Sequence, residues 1–367
     1  MKFEFMKVIS VFGTRPEAVK MAPVVAELRK HSNVESKVLV TAQHRDMLDQ
    51  VLEIFDITPD FDLDVMQDNQ TPTDVAAEVL KRIQPILRDE RPDWILVQGD
   101  TTTVLAASLA AFYNRVKVGH VEAGLRTYDR CNPFPEEINR VLADQLSDLH
   151  FAPTETARAA LLKEAIPPER VHVTGNTVID ALRVIIARPA NGSLPLFPAD
   201  KRLVLVTAHR RENFGQPFAN MLAALKCIAD RGDVHLLYPV HPNPNVRGPA
   251  YEVLGHHPHV TLLPPMDYLA FAHLMAKAHL ILTDSGGIQE EAPGLGVPVL
   301  VMRAVTERPE AVAAGTAKLV GTNTEAILTE AAKLLDDPAA HAAMAKAVNP
   351  FGDGHAAERI VSILLRQ

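Results

Sequence analysis

Asp100, Glu122 and Glu136 are the residues of this chain best suited to proton chemistry. Asp100 lies in Gln98-Gly99-Asp100-Thr101-Thr102-Thr103 and Glu122 in Gly119-His120-Val121-Glu122-Ala123-Gly124-Leu125-Arg126-Thr127. Glu136 lies in Pro133-Phe134-Pro135-Glu136-Glu137-Ile138-Asn139-Arg140. Each has a plain structural reading when taken alone. Asp100, or a threonine beside it, is a natural helix N-cap, and a glutamate in a first helical turn complements the helix dipole. Glu122 is a poor cap, and it stands among glycines and an arginine. Taken together, the three converge on one rim of one sheet, beside Arg15 and Lys20. Crowded carboxylates raise one another's pKa towards the range useful for moving a proton.

Two turns supply the complementary charge. Gly13-Thr14-Arg15-Pro16-Glu17-Ala18 and Thr283-Asp284-Ser285-Gly286-Gly287 each follow an apolar strand and open a helix. Backbone N–H groups at such a helix start favour an anion. Arg15 adds a guanidinium able to grip phosphate oxygens, and Gly286 and Gly287 let a ligand reach the main chain. One such turn in each half of the chain points to a diphosphate ligand. In Thr207-Ala208-His209-Arg210-Arg211-Glu212-Asn213, His209 occupies the place that the Gly13 turn holds in the first half, and reads as a diphosphate contact. His241, in Val240-His241-Pro242-Asn243-Pro244, either lines the site or caps a turn. Glu291 either accepts bonds from two ribose hydroxyls or complements a dipole, and Arg308 places another cation at a strand end. His256-His257-Pro258-His259 resembles a metal tract but has no acid near it in sequence, so no metal is expected. Gly294-Leu295-Gly296 lacks the third glycine of a dinucleotide fingerprint.

These groups need a scaffold that carries strand ends to one rim. Strands are expected over 7–12, 37–41, 94–98, 116–121, 150–152 and 171–173, with helical patterns over 16–30, 44–55, 73–88, 101–113 and 135–146. The segment 188–200, rich in Pro, Gly and Ser, reads as a linker. The alternation then resumes with strands over 203–207, 234–240, 260–263, 280–283, 297–302 and 318–320. Alternating strands and helices give α/β architecture with doubly wound parallel sheets, whose ligands bind at the carboxyl ends of the strands. The expected domains are 1–187 and 201–350.

Composition narrows the class. With 367 residues the chain exceeds one typical core and suits two domains. Its 47% hydrophobic and 22% charged residues are ordinary for a globular protein. A net charge of −8, with bases and acids interleaved, argues against nucleic acid or an anionic membrane as partner. No apolar run reaches the roughly 18 residues that span a bilayer. Cys131 and Cys227, far apart, suit a reducing cytoplasm and exclude a cysteine-based zinc site.

The motifs, in this order, resemble the non-hydrolysing UDP-N-acetylglucosamine 2-epimerases over nearly the whole chain. The resemblance also takes in Thr41-Ala42-Gln43-His44-Arg45, Gly175-Asn176-Thr177, Thr306-Glu307-Arg308-Pro309-Glu310 and Asn349-Pro350-Phe351-Gly352-Asp353-Gly354. It implies a GT-B fold, two Rossmann-like domains facing across a cleft that holds the UDP-sugar, with a C-terminal helix over 355–367 packing back on the first domain. It implies ligand contacts at Arg15, Lys20, Asp100, Glu122, His209, Phe271, Ser285, Gly286, Gly287, Glu291 and Arg308, with Glu136 a further catalytic carboxylate. The main chain of Phe271 is expected to meet the uracil. Met266 stands where relatives often carry a polar residue, so a contact there falls to its main chain. A cytoplasmic homodimer without cofactor or metal, serving cell-surface polysaccharide synthesis, completes what the resemblance implies.

The implied reaction is reversible inversion at C2 of UDP-GlcNAc to give UDP-ManNAc. The C2 proton is not acidic, so elimination of UDP to a 2-acetamidoglucal and re-addition from the other face is the expected route. Asp100, Glu122 and Glu136 supply acid–base groups, while His209, Arg15, Arg308 and the two turns stabilise departing UDP. Domain closure is expected to exclude water. A hydrolysing epimerase releasing ManNAc and UDP, a GT-B glycosyltransferase using UDP-GlcNAc, and a non-catalytic UDP-sugar sensor are the alternatives. Some members of the family are activated by a second substrate molecule. Of the residues associated with that pocket, Gln43, Glu136, Arg210 and His241 are present, whereas Asp46 and Asn69 replace Gln and Arg.

Overall fold

Apolar strands can be buried along their whole length only where helices cover both faces of the sheet. Trp94–Gln98 is buried at all five positions, and this holds for the centre of each of two parallel sheets. The computed structural model describes residues 5–41, 45–65, 70–190 and 194–367. Two compact units emerge, one formed by Met1–Ala181 with Phe351–Gln367 and the other by Leu182–Pro350.

The first unit holds strands β1 (Met6–Phe12), β2 (Val34–Val40), β3 (Phe61–Asp62), β4 (Trp94–Gln98), β5 (Lys117–Val121), β6 (Leu149–Ala152) and β7 (Val171–Val173). They pair in parallel in the order β3-β2-β1-β4-β5-β6-β7. The order reverses between β1 and β4, where Val8, Ile9 and Ser10 lie opposite Trp94, Ile95 and Leu96. The connecting helices are α1 (Arg15–Leu28), α2 (Arg45–Ile54), α3 (Pro72–Glu90), α4 (Thr102–Tyr113), α5 (Glu136–Leu146) and α6 (Glu155–Lys163). Helix α7 (Thr177–Ala187) carries the chain into the second unit. The apolar stripe Val75, Val79, Ile83 and Leu87 of α3 joins Val104, Ala107 and Ala111 of α4 against the inner strands.

The second unit repeats the plan with β8 (Arg202–Thr207), β9 (Val234–Pro239), β10 (Val260–Leu263), β11 (Leu280–Thr283), β12 (Val299–Val301) and β13 (Ala317–Leu319). The order is β10-β9-β8-β11-β12-β13, all parallel, with the reversal between β8 and β11. Its helices are α8 (Gln216–Asp230), α9 (Pro244–Leu254), α10 (Tyr268–Lys277), α11 (Gly286–Gly294), α12 (Pro309–Ala313), α13 (Thr324–Asp336) and α14 (Pro338–Ala345). Helix α15 (Ala356–Leu364) belongs to the first unit, where it packs on α1. Its fully buried Ile360, Val361 and Leu364 complete that core, and Asp180 accepts from the N–H groups of Ala356 (3.2 Å) and Ala357 (2.8 Å) at its start.

Both sheets are Rossmann-like, as expected from the alternation. The boundary between units differs from the expected one, falling at 181/182 inside α7 rather than at 187/188. Composition marks where the chain stops being helical, but a continuous helix can leave one core and enter another. Strand β3 is an addition, because two residues give no periodic signal. Among the described residues no helix is long and apolar enough to cross a membrane.

Candidate functional site

In the first unit, the carboxyl ends of β1, β4 and β5 bring the expected acids together. Thr101, not Asp100, caps α4 by accepting from the N–H of Val104. The Asp100 carboxylate is thereby released to pair with Arg140 at 2.9 Å. Burial raises the Asp100 pKa, and the charges of Glu122 and Glu136 add to the rise while Arg140 and Lys20 oppose it. Those four charged groups therefore face Asp100 from α1, the β5 end and α5. Asp100 is a carboxyl shifted towards the range in which it can both take and give a proton.

Glu122 follows β5 at φ 65°, a left-handed conformation that costs a glutamate of order 1 kcal/mol. That conformation aims the carboxylate at Lys20, whose Nζ lies 2.7 and 2.5 Å from its two oxygens, and at the amide of Gln98. Glu122 is almost fully buried. Glu136 is the first residue of α5 and half-buried, while its neighbour Glu137 is claimed by the N–H groups of Thr127 and Tyr128.

The Gly13 turn departs from expectation. Its N–H groups do not stand open to an anion, because the buried Glu17 carboxylate accepts from Gly13 (2.8 Å), Thr14 (2.7 Å) and the Thr101 hydroxyl (2.5 Å). This is the reach-back half of a capping box, legible as Thr14-x-x-Glu17. The cation left exposed at this turn is Arg15, at the start of α1.

The second unit uses the same device with a different residue. Asp284, fully buried after β11, accepts from the N–H groups of His209 and Arg210, each at 2.8 Å, and from Asn213 at 3.3 Å. The turn after β8 is therefore also occupied from within. Helix α11 starts with Ser285 as N-cap, followed by Gly286 and Gly287. A methyl on Gly286 would approach nothing closer than 3.6 Å, so these glycines leave space and are not demanded by backbone conformation. Glu291 lies beside Gly287 and accepts from the Tyr268 hydroxyl at 2.8 Å.

The cations of this unit are more restrained than expected. The ring of His209 stacks on that of His241 at 5.5 Å. Burial lowers the His209 pKa, and His241 and Arg210 lower it further against the pull of Asp284. These surroundings disfavour the imidazolium form of His209, whose Nδ1 lies 3.6 Å from the Asp284 carboxylate. Arg308 pairs with the buried Glu290. Arg210 lies 3.6 Å from Glu307, whose pKa is held down at about 2 by Arg303 despite burial.

The remaining expectations resolve individually. His241 is exposed, and its Nδ1 accepts from the N–H of Asn243, a local turn bond. Met266 is half-buried in the loop after β10. The N–H of Phe271 is spent on the carbonyl of Asp267 within α10, so it is not offered to a base. His257 does have an acid within reach, Asp230 at 3.0 Å, brought from α8 by the fold. Among the described residues no group of three or more potential ligands is placed to hold a metal. Gln43 and Asn69 lie outside the described residues, as does the side chain of Asp46. Sequence reasoning passed over Glu17, Gln98, Arg140, Tyr268 and Asp284, which hold the expected groups in place. Only Glu17 carried a local signal.

The profile of the family described as UDP-N-acetylglucosamine 2-epimerase matches residues 26–365. A UDP-N-acetylglucosamine 2-epimerase of Salmonella typhimurium is 54% identical, covering 98% of each chain. The crystal structure of the UDP-GlcNAc 2-epimerase of Neisseria meningitidis bound to UDP-GlcNAc superposes with a TM-score of 0.90 at 50% identity, covering 99% of this chain and 100% of that one. A glycotransferase of kitacinnamycin, with a TM-score of 0.67 and 14% identity over 98% of this chain and 99% of that one, shares the fold alone. The chain is a GT-B-type α/β protein and belongs to the UDP-N-acetylglucosamine 2-epimerase family, a family of isomerases.

Proposed function

We propose that this protein interconverts UDP-GlcNAc and UDP-ManNAc without releasing free sugar, by elimination and re-addition of UDP. The observation that carries the reading is that Glu122, Glu136 and Lys20 all act on the charge of Asp100, with Lys20 paired to Glu122, in a chain whose relatives bear the epimerase name. A binding protein would need no such cluster. In the forward step a carboxylate takes the C2 proton, the C1–O bond breaks with its electron pair leaving on UDP, and a C1=C2 double bond forms. In the return step UDP oxygen attacks C1 and a proton reaches C2 from the opposite face.

Residue roles follow from the local chemistry. Asp100, with its raised pKa, is suited to exchange the C2 proton, and Glu136, at the start of α5, is the second carboxylate proposed to act on the sugar. Glu122, tied to Lys20 and Gln98, is suited to orient substrate hydroxyls and steady the charge of the cluster. Arg15, Ser285, Gly286, Gly287 and His209 are suited to the diphosphate, and Glu291 to the ribose. An anion beside His209 would restore its imidazolium and so stabilise departing UDP. Arg308, already paired, contributes by holding Glu290 and the start of α12. Met266 and Phe271 remain the expected uracil neighbours, Phe271 through main-chain atoms other than its N–H, and the functional unit is proposed to be a homodimer.

The test is proton NMR of UDP-GlcNAc with the purified protein in D2O, without added nucleotide cofactor or metal. The expected outcome is a mixture of the two UDP-sugars with deuterium at C2. Accumulation of free ManNAc would assign a hydrolysing epimerase, and retention of the C2 proton in both sugars would exclude elimination.

A further inference from the structure

Arg140 is nearly buried in α5, where its Nε donates to the Glu136 carbonyl at 3.4 Å and its guanidinium faces the carboxylates of Asp100 and Glu137. Two consecutive residues of that helix grip Asp100 from two sides. The side-chain amide of Asn139 donates to the Asp100 carbonyl at 3.0 Å, and Arg140 meets its carboxylate at 2.9 Å. A third bond holds the preceding residue, where His120 Nε2 lies 2.7 Å from the Gly99 carbonyl. Gly99 itself is at φ 81°, so the turn is fixed by a conformation that few other residues adopt. Arg140 is 10% exposed in its side chain and also lies 3.6 Å from Glu137.

We infer that Arg140 is the positioning residue of the proton-exchanging carboxylate, holding Asp100 oriented and ionised until the sugar arrives. The inference deepens the proposed function and rests on Asp100 acting there. The charges facing Asp100 make the point quantitative in sign. Glu122 and Glu136 both oppose its ionisation, Lys20 favours it but is itself engaged with Glu122, and Arg140 supplies the largest electrostatic support. Without Arg140, burial and two anions act on Asp100 almost unopposed, and its working range moves to higher pH.

The experiment compares wild type with Arg140→Met, Arg140→Gln, Arg140→Lys and Asp100→Asn. It measures initial rates of UDP-GlcNAc epimerisation as a function of pH, together with UDP affinity. In Arg140→Met the acid limb of the kcat profile should move up by about one pH unit or more, the size of effect of a neighbouring opposite charge. Turnover at neutral pH should fall by tenfold or more, with KM and UDP affinity within about threefold of wild type, since a positioning group acts on kcat. Arg140→Gln should show the same displacement and serves if Arg140→Met does not fold. Arg140→Lys keeps the charge but not the fork, so its limb should return to the wild-type position with kcat still several-fold low. An inactive Asp100→Asn together with an unmoved limb in the neutral variants would overturn the inference alone. A wild-type rate in Asp100→Asn would overturn the reading beneath it as well.

Discussion

Among the three carboxylates the surroundings divide the labour. Glu122 is buried, strained and paired with Lys20, so its geometry is rigid and its charge is compensated. Asp100 retains 31% of its side-chain surface and is pushed towards protonation by burial and like charge. Under the proposed chemistry the first orients and the second exchanges the proton. Asp100→Asn and Glu122→Gln should each lower turnover on the order of 10²-fold or more while UDP binding persists, for Asp100 the usual size of a lost acid or base and for Glu122 that of a lost orienting contact. Isothermal titration with UDP beside the kinetic assay checks both halves, and near-normal turnover in both variants would refute the assignment. At this scale the acids were legible because two acids at strand ends and a third opening a helix exceed what capping requires. The groups that neutralise and aim them were not. Gln98, Arg140 and Asp284 meet the groups they aim across 24 or more positions of chain, as in Gln98 with Glu122, Arg140 with Asp100 and Asp284 with His209.

Strands and helices were readable wherever burial imposed a period. The exceptions are instructive, since β3 is too short to show one and the unit boundary lies inside a continuous α7. What periodicity could not reveal is the buried network that fastens β5 to α5. His120 faces two acceptors, the Asp144 carboxylate at 2.6 Å and the Gly99 carbonyl at 2.7 Å, so both ring nitrogens carry protons. Burial opposes that charge, but Asp144 and the two hydrogen bonds outweigh it, and the His120 pKa is raised above its usual 6.5. Asp144, which also binds Arg126 at 2.7 Å, is lowered below its usual 3.8 by His120 and Arg126 against burial. A raised histidine stabilises fully below its unfolded pKa, and that contribution is lost as pH rises through the folded value. A lowered aspartate stabilises above its unfolded pKa, and that contribution is lost as pH falls through the folded value. Together they predict greatest stability from this network between about pH 4 and 6.5, declining on the alkaline side as His120 deprotonates. Urea unfolding across pH should show the alkaline decline in wild type and lose it in His120→Gln. Asp144→Asn, which strands the buried charge of His120 and leaves Arg126 with Glu164 as its remaining carboxylate, should cost about 3 kcal/mol. An alkaline decline that survives in His120→Gln would place its origin elsewhere.

For the whole molecule, two units of the expected architecture were legible from alternation and length, whereas the attachment of α15 to the first unit was implied only by resemblance. Nothing in nine residues at the end of a chain announces which core they complete. Regulation is likewise a property of the whole molecule, and the family pattern supplies a prediction. Activated relatives carry Gln and Arg where this chain has Asp46 and Asn69, so an anionic second substrate molecule loses a cation and meets an added anion. A missing charge-assisted hydrogen bond is worth roughly 1.5–3 kcal/mol, or about ten- to a hundredfold in affinity. Arg210 is poorly placed to compensate, because Glu307, which stays ionised, lies 3.6 Å from its guanidinium. His241 is committed to its own turn and to the stack with His209. Epimerisation starting from pure UDP-ManNAc should therefore proceed with little or no added UDP-GlcNAc, or respond to it only at high concentration. Progress curves from UDP-ManNAc provide the check, and they should rise without a lag. A pronounced lag abolished by micromolar UDP-GlcNAc would show that Arg210 and His241, with the remaining residues of that pocket, restore the activating site despite the two replacements.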